Sequence, residues 1–129
     1  MYLLIAIQAE LKAAVDAAVA DFDSIRSEGN IDVIFNERNK EPKFVSIGGL
    51  AQKVLHELTS YHEDWVGGMK LKGTSAYGVR LYQNQSTLVM HYDRIETHVI
   101  SSIVHIAHEY DDDNEPWPIQ IEDHDGNLH

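Results

Sequence analysis

The sequence contains no cysteine, and this absence excludes three kinds of chemistry. Without cysteine there is no disulfide framework, no thiolate nucleophile and no zinc–thiolate site. Any metal ion would have to be held by histidine, aspartate and glutamate side chains. The chain has eight histidines, so histidine is the first residue type to consider as a metal ligand.

Basic residues are also few. The 129 residues include 10 lysines and arginines against 21 aspartates and glutamates, which gives a formal net charge of −11 with histidine neutral. This charge repels phosphate backbones and anionic membranes, so we predict neither a nucleic-acid partner nor a membrane partner. Residues 109–129 contain no lysine or arginine and are the most acidic part of the chain.

Long hydrophobic runs are missing as well. The apolar start, residues 1–7, breaks at Gln8 and Glu10 and falls short of a membrane span. The chain is 43% hydrophobic and 24% charged, which is typical of an ordinary globular protein, and its length suits one domain over residues 1–129.

Two segments have the spacing of amphipathic helices. Apolar residues recur every three or four positions over residues 3–22, and again from Leu50 to Trp65, where Gly67 and Gly68 end the pattern. Between them, residues 23–49 predict short strands or turns around a loop. We therefore expect residues 1–72 to form a mainly helical cover.

The second half of the chain has the pattern of strands. Residues 77–82 and 87–93 predict a hairpin around the polar turn 83–86, and the β-branched run 98–108 predicts a buried central strand. Residues 117–122 predict a further strand, which is followed by a turn at Asp125–Asn127. Helices followed by strands predict an α+β domain, with the helices packed on an antiparallel, jelly-roll-like sheet. Because a turn at the end of the chain should feed a returning strand, we expect this domain to be C-terminally incomplete.

The tripeptide His91-Tyr92-Asp93 is the strongest candidate for chemistry. On a strand, residues i and i+2 point to the same face and lie roughly 6.6 Å apart, so an imidazole and a carboxylate could converge on one cation. They would be two members of the 2-His-1-carboxylate triad that holds non-haem iron(II) and leaves positions free for co-substrate and oxygen. The alternative is structural, with a histidine hydrogen-bonded in the core and an aspartate at a strand end.

Several motifs follow one another in a fixed order around this tripeptide. They are YGVRLY (77–82), STLVMHYDR (86–94), THVISSIVH (97–105), EPWPIQI (115–121) and DHDGN (123–127). Together they resemble the iron(II)- and 2-oxoglutarate-dependent oxygenases of the prolyl 4-hydroxylase-like branch, over about residues 73–129.

The resemblance implies a fold, a reaction and three site residues. The fold is a double-stranded β-helix, or jelly roll, of which residues 73–129 would be the first part. His91 and Asp93 match the first two iron ligands of the family, and Tyr82 matches a tyrosine that contacts 2-oxoglutarate. The cofactors are then Fe(II) and 2-oxoglutarate as co-substrate, and the reaction is the hydroxylation of a protein or peptide side chain such as proline.

The sequence also departs from the family. The family has a distal histidine ligand and a basic residue that pairs with 2-oxoglutarate, yet Arg94 is the only lysine or arginine after Asp93. Three interpretations follow. The chain is part of a full oxygenase, or it is an inactive jelly-roll module for binding or dimerisation, or a different metal site is completed by one of three later histidines. The three later histidines are His98, His105 and His108.

An unfinished sheet also predicts homo-oligomers through a sheet edge or the N-terminal helix.

Overall fold

The structure is a computed structural model, and it describes residues 2–29, 34–35, 40–93, 96, 98–110 and 117–129. Within these residues the chain forms two α-helices, a short 3-10 helix (Phe22–Ser24) and four short strands. In chain order the α-helices and strands are α1 (Tyr2–Val19), β1 (Ile34–Phe35), β2 (Lys43–Val45), α2 (Leu50–Trp65), β3 (Val79–Leu81) and β4 (Thr87–Leu88). No helix in the described part of the chain is long and apolar enough to cross a membrane.

The strands pair antiparallel in two small sheets. In one sheet β2 pairs with β3, so that Lys43 lies opposite Leu81 and Val45 opposite Val79. In the other, β1 pairs with β4, and Phe35 lies opposite Thr87. Two helices with short antiparallel sheets make a small α+β protein, which confirms the predicted class.

Both predicted helices are present. On α1, Ile7 and Leu11 are buried at the predicted spacing, and Val15 is buried beside them. Helix α2 ends where Gly67 and Gly68 take positive φ values of 75° and 87°, as a helix stop requires.

The apolar stripe of α2 is buried only in its first half. Val54 is buried, but Trp65 is 73% exposed, so the predicted stripe does not continue to the end of the helix. The core is a cluster of Ile7, Leu11, Ile47 and Val54. Since these residues come from α1, α2 and the turn between β2 and α2, the core lies between the two helices and the β2–β3 sheet.

The predicted hairpin of residues 77–93 is wrong. Its turn is present, because the Ser86 N–H donates to the Gln83 carbonyl at 3.1 Å, but β3 and β4 pair with β2 and β1 and not with each other. Gly78 explains part of this choice. A Cβ on Gly78 would lie 2.4 Å from Phe44 Cζ and 2.6 Å from the Val45 carbonyl oxygen. Because glycine has no side chain, β2 can pack closely against the residue that precedes β3.

The predicted buried strand over residues 98–108 is also wrong. These described residues form no regular strand, and Val99 and Ile103 are 82% and 79% exposed. Only Ile106 packs on the core. The segment instead lies against helix α1, and the Gln8 side chain on α1 donates a hydrogen bond to the His105 carbonyl at 3.4 Å. β-Branched residues favour a strand only when a neighbouring strand supplies hydrogen bonds, and here none of the described strands does.

The turn near the end of the chain is confirmed. The Gly126 N–H donates to the Asp123 carbonyl at 3.1 Å, and Gly126 has a positive φ of 83°. Ile121 and His129 exchange backbone hydrogen bonds of 3.0 and 2.8 Å, which closes a short hairpin over residues 121–129. Residues 117–120, predicted as part of a strand, have no strand pairing. Residues 111–116 of the acidic segment lie outside the described residues.

Candidate functional site

His91 lies in the segment that continues beyond β4 without strand pairing. Its side chain is exposed, and Nδ1 lies 2.8 Å from the Val89 carbonyl oxygen. A carbonyl can only accept a hydrogen bond, so Nδ1 carries the proton and Nε2 of the neutral ring has the lone pair that a metal requires. The local backbone thus selects a tautomer that can bind a metal through Nε2.

Asp93 is positioned by a serine. The Ser101 hydroxyl donates to Asp93 Oδ2 at 2.6 Å, which joins the segment after β4 to the segment that contacts the helices. Asp93 lines a cleft of about 730 Å³ whose wall includes Glu96, His98 and the exposed ring of Tyr77. The cleft is therefore acidic and partly aromatic.

His91 and Asp93 open into different clefts. His91 lines a smaller one, of about 270 Å³, together with Glu122 and Asp123. Tyr92, which is 93% exposed, lies on both. The spacing i, i+2 places side chains on one face only in a strand, and residues 91–93 are not in one. The structure brings the two predicted ligands to adjoining clefts but not to a common point.

The donor set is incomplete for an iron(II) triad. Imidazole and carboxylate are both ligands of non-haem iron(II), and His91 and Asp93 supply one of each. Among the described residues, however, no group of three or more His, Cys, Asp or Glu side chains could hold a metal ion. These residues by themselves do not fit the complete triad.

The alternative metal site is not assembled either. His98 lies in the cleft of Asp93, whereas His105 and His108 contact each other, with 3.3 Å between His108 Nδ1 and His105 Nε2. Arg94, the only lysine or arginine after Asp93, lies outside the described residues.

Tyr82 follows β3 and is half-buried. Its hydroxyl accepts a hydrogen bond of 3.3 Å from Arg80 Nη1, and its ring packs edge-on against Trp117 at 4.6 Å between ring centres. Arg80 is itself held by Glu28, which accepts from Nη2 at 2.7 Å and also from Nε. The hydrogen bond with Glu28 raises the pKa of Arg80 above its ordinary value. Since the Tyr82 oxygen accepts from Arg80, the hydroxyl proton can be donated to a second group.

Asp123 organises the wall of the smaller cleft. Its carboxylate accepts from His129 Nε2 at 3.0 Å and from the backbone N–H groups of Asp125 and Asn127, each at 2.9 Å. The hydrogen bond from His129, followed by that from the Asn127 backbone, holds the pKa of Asp123 well below its usual range. Asp123 is therefore a charged carboxylate beside His91.

The contacts of three residues near the predicted site were not predicted from the sequence. Glu28 orients Arg80, Ser101 orients Asp93 and Trp117 packs on Tyr82. Ser101 had a weak signal, because it belongs to a polar pair within an apolar run. Glu28 had none, since it is 52 residues away from Arg80 in the chain.

Comparison of the chain with protein-family models, with curated proteins and with solved structures finds no match to any of them. The assignment of a function therefore depends on the ordered motifs of residues 77–127 and on the geometry described above.

Proposed function

We propose that the chain is a non-haem Fe(II)- and 2-oxoglutarate-dependent dioxygenase domain that hydroxylates a protein or peptide side chain such as proline. The observation that supports this most directly is the pair His91 and Asp93. Both side chains are exposed, on adjoining clefts, and His91 has the tautomer that leaves Nε2 able to bind a metal. Iron with 2-oxoglutarate supplies the oxidation of an unactivated C–H bond.

In this proposal the site also needs a third donor, from elsewhere in this chain or from another chain. The described residues contribute the first two, and the double-stranded β-helix of the family would bring a third beside them. Ser101 would hold the Asp93 carboxylate in place through its 2.6 Å hydrogen bond. A side chain held by a neighbour loses less conformational entropy when it binds a metal.

Tyr82 is proposed as the contact for the carboxylate of 2-oxoglutarate. The Arg80 guanidinium donates to the Tyr82 oxygen, so the phenolic proton is available to a carboxylate acceptor. Trp117 packs against the ring and limits its rotation. A rigid phenol with a free proton is suited to bind one end of a dicarboxylate.

The cleft of Asp93 is the proposed binding site for the substrate. Its volume of about 730 Å³ is of the size that holds a small molecule or a peptide side chain. Tyr77 and Tyr92 present exposed rings on which an apolar ring such as that of proline can pack. Asp93 and Glu96 add negative charge, which favours a peptide with basic residues near the target.

One observation favours a second function, in which the chain is a catalytically inactive jelly-roll module for binding or dimerisation. Large apolar side chains are exposed on the segments that follow Asp93; they are Val99, Ile103, Ile119, Ile121 and Leu128. In this second function these side chains together would form the surface that binds another protein or a second copy of the chain.

Turnover of 2-oxoglutarate distinguishes these two functions. The chain is incubated with Fe(II), ascorbate, 2-oxoglutarate and a proline-containing basic peptide, and succinate is measured. We expect succinate from the wild type and none from His91→Ala, while His56→Ala, an exposed histidine on α2, serves as the matched control. If neither the wild type nor the control forms succinate, the oxygenase proposal is contradicted. Sedimentation of the same sample as a defined oligomer would then favour the binding module.

A further inference from the structure

A pair of histidines outside the proposed iron site is arranged like two ligands of one metal ion. His108 Nδ1 and His105 Nε2 are 3.3 Å apart, and the centres of the two rings are 5.1 Å apart with 22° between the ring planes. Both side chains are exposed, so an ion can reach them from solvent.

These two distances match a shared tetrahedral ion. An ion about 2.05 Å from each nitrogen would hold the two nitrogens about 3.3 Å apart and the two ring centres about 5.2 Å apart. A straight N–H···N hydrogen bond with the same separation of nitrogens would place the ring centres about 5.6 Å apart. The observed value of 5.1 Å is close to the first geometry. In the metal-free pair one of these nitrogens donates a hydrogen bond to the other. The 3.3 Å between nitrogens and the 5.1 Å between ring centres also fit two nitrogens that share one ion.

The surrounding contacts hold the pair in place before any ion binds. Ile106, between the two histidines, packs on the hydrophobic core, and the His105 carbonyl accepts a hydrogen bond from Gln8 on α1. The ring of Tyr110 stacks on that of His108, with 4.7 Å between ring centres and 24° between planes. The backbone is therefore anchored at the His105 carbonyl and at Ile106, and the ring of His108 is supported.

The neighbouring charge favours a cation. Glu109 is exposed and lies directly beside His108, and the chain as a whole has a net charge of −11. Neutral imidazole nitrogens are good ligands for zinc, nickel and copper, whereas magnesium and calcium prefer oxygen ligands.

We propose that His105 and His108 bind a divalent transition-metal ion such as Zn²⁺ through two imidazole nitrogens. Water completes the coordination, because no third His, Cys, Asp or Glu joins the pair among the described residues. The site is distinct from His91 and Asp93, so it does not depend on the oxygenase proposal.

Zinc titration of the untagged full chain tests this proposal. Binding of Zn²⁺ is followed by isothermal calorimetry, and the ring-proton NMR signals of the histidines are recorded at each step. We expect one equivalent to bind with shifts at the rings of His105 and His108, and any second equivalent bound at His91 and Asp93 to be lost in Asp93→Ala without changing these shifts. His105→Ala and His108→Ala should each weaken binding on the order of tenfold or more, the loss seen even when only a supporting residue of a metal site is removed. His56→Ala should leave the affinity unchanged.

Asp93→Ala separates this site from the iron site. We expect this variant to bind Zn²⁺ with the affinity of the wild type, whether or not the chain is an oxygenase. Equal affinity of the wild type, His105→Ala and His108→Ala would overturn the proposal, and so would ring-proton shifts at other histidines only. Because both histidines are exposed, the variants should keep the far-ultraviolet circular dichroism of the wild type.

Discussion

Gly78→Ala should disrupt the contact between β2 and β3. Strand β3 contains Arg80 and positions Tyr82, which follows it. The added Cβ would lie 2.4 Å from Phe44 Cζ and 2.6 Å from the Val45 carbonyl oxygen. The Phe44 ring can rotate away, but the carbonyl oxygen belongs to the backbone of β2 and cannot move alone. The strands must therefore separate locally.

The expected loss of stability follows from two opposing effects. Forcing an extra carbon into a packed site costs about 1–3 kcal/mol, and the backbone clash places this change near the upper end. Replacing glycine with alanine also restricts the unfolded chain, which contributes about 0.4–1 kcal/mol in the other direction. Gly78 is not among the glycines with positive φ, so backbone strain adds nothing. The net change in the free energy of unfolding is a loss of about 2 kcal/mol.

Urea unfolding measures this change. With a denaturant slope of about 1–3 kcal/mol per molar, the loss lowers the urea midpoint by about 1 M. Gly49→Ala is the control, because its φ is −63° and a Cβ there meets no atom within 4 Å. We expect the control to change stability by about 0.5 kcal/mol or less. If the two variants unfold at the same midpoint, β2 and β3 do not approach each other as closely as described.

Three further predictions concern the core residue Leu11, the ion pair of Glu28 with Arg80, and the pH dependence of the C-terminal hairpin. Leu11→Ala removes a core side chain that is 3% exposed and should cost about 2–5 kcal/mol, measured by urea unfolding. Glu28→Gln removes the charged partner of the guanidinium on β3 and should cost about 1 kcal/mol or less, measured in the same way; no change would mean that solvent screens the ion pair fully. The pKa of Asp123 is lowered by His129, so the carboxylate stabilises the hairpin of residues 121–129 above its ordinary pKa of 3.8 and loses this effect as the pH falls further. NMR contacts across that hairpin should therefore fade in acid, and contacts that persist unchanged would contradict this.

The helices could be predicted from the sequence because helical periodicity is a local property. Ile7, Leu11 and Val54 face the core at the expected spacing, and Gly67 and Gly68 end α2 where the pattern stops. Turns are local as well. The turn at residues 83–86 was predicted, and the turn predicted at Asp125–Asn127 forms over residues 123–126; each is closed by its own backbone hydrogen bond.

Strand pairing could not be predicted in the same way, since the partner of a strand is chosen by residues far away in the chain. The segment before β3 meets Phe44 through Gly78, and β4 meets β1, so the expected hairpin does not form. The run 98–108 has the composition of a strand but no strand beside it, and its position follows from Ile106 and the hydrogen bond from Gln8. Composition alone does not contain this information.

For the candidate site, the sequence predicted the types of the residues better than it predicted their arrangement in space. His91 and Asp93 are donors of the kind that iron(II) takes, and this depends only on their chemistry. Their arrangement was inferred from the alternation of a strand, and residues 91–93 do not form one. Glu28 orients Arg80 from 52 residues away, which no local pattern could indicate. Ser101 is only eight residues from Asp93, but it reaches the carboxylate from a segment that does not form the predicted strand.

The central claim, that His91 and Asp93 bind iron together with 2-oxoglutarate, is tested most directly by an anaerobic titration. Fe(II) is added to the purified chain with and without 2-oxoglutarate, and the visible charge-transfer absorption of the chelated keto acid is recorded. Asp93→Ala is compared with Asp64→Ala, which changes an exposed aspartate on α2. We predict the absorption band in the wild type and in Asp64→Ala, and its loss in Asp93→Ala. No band in the wild type, or a band that persists in Asp93→Ala, would contradict the claim.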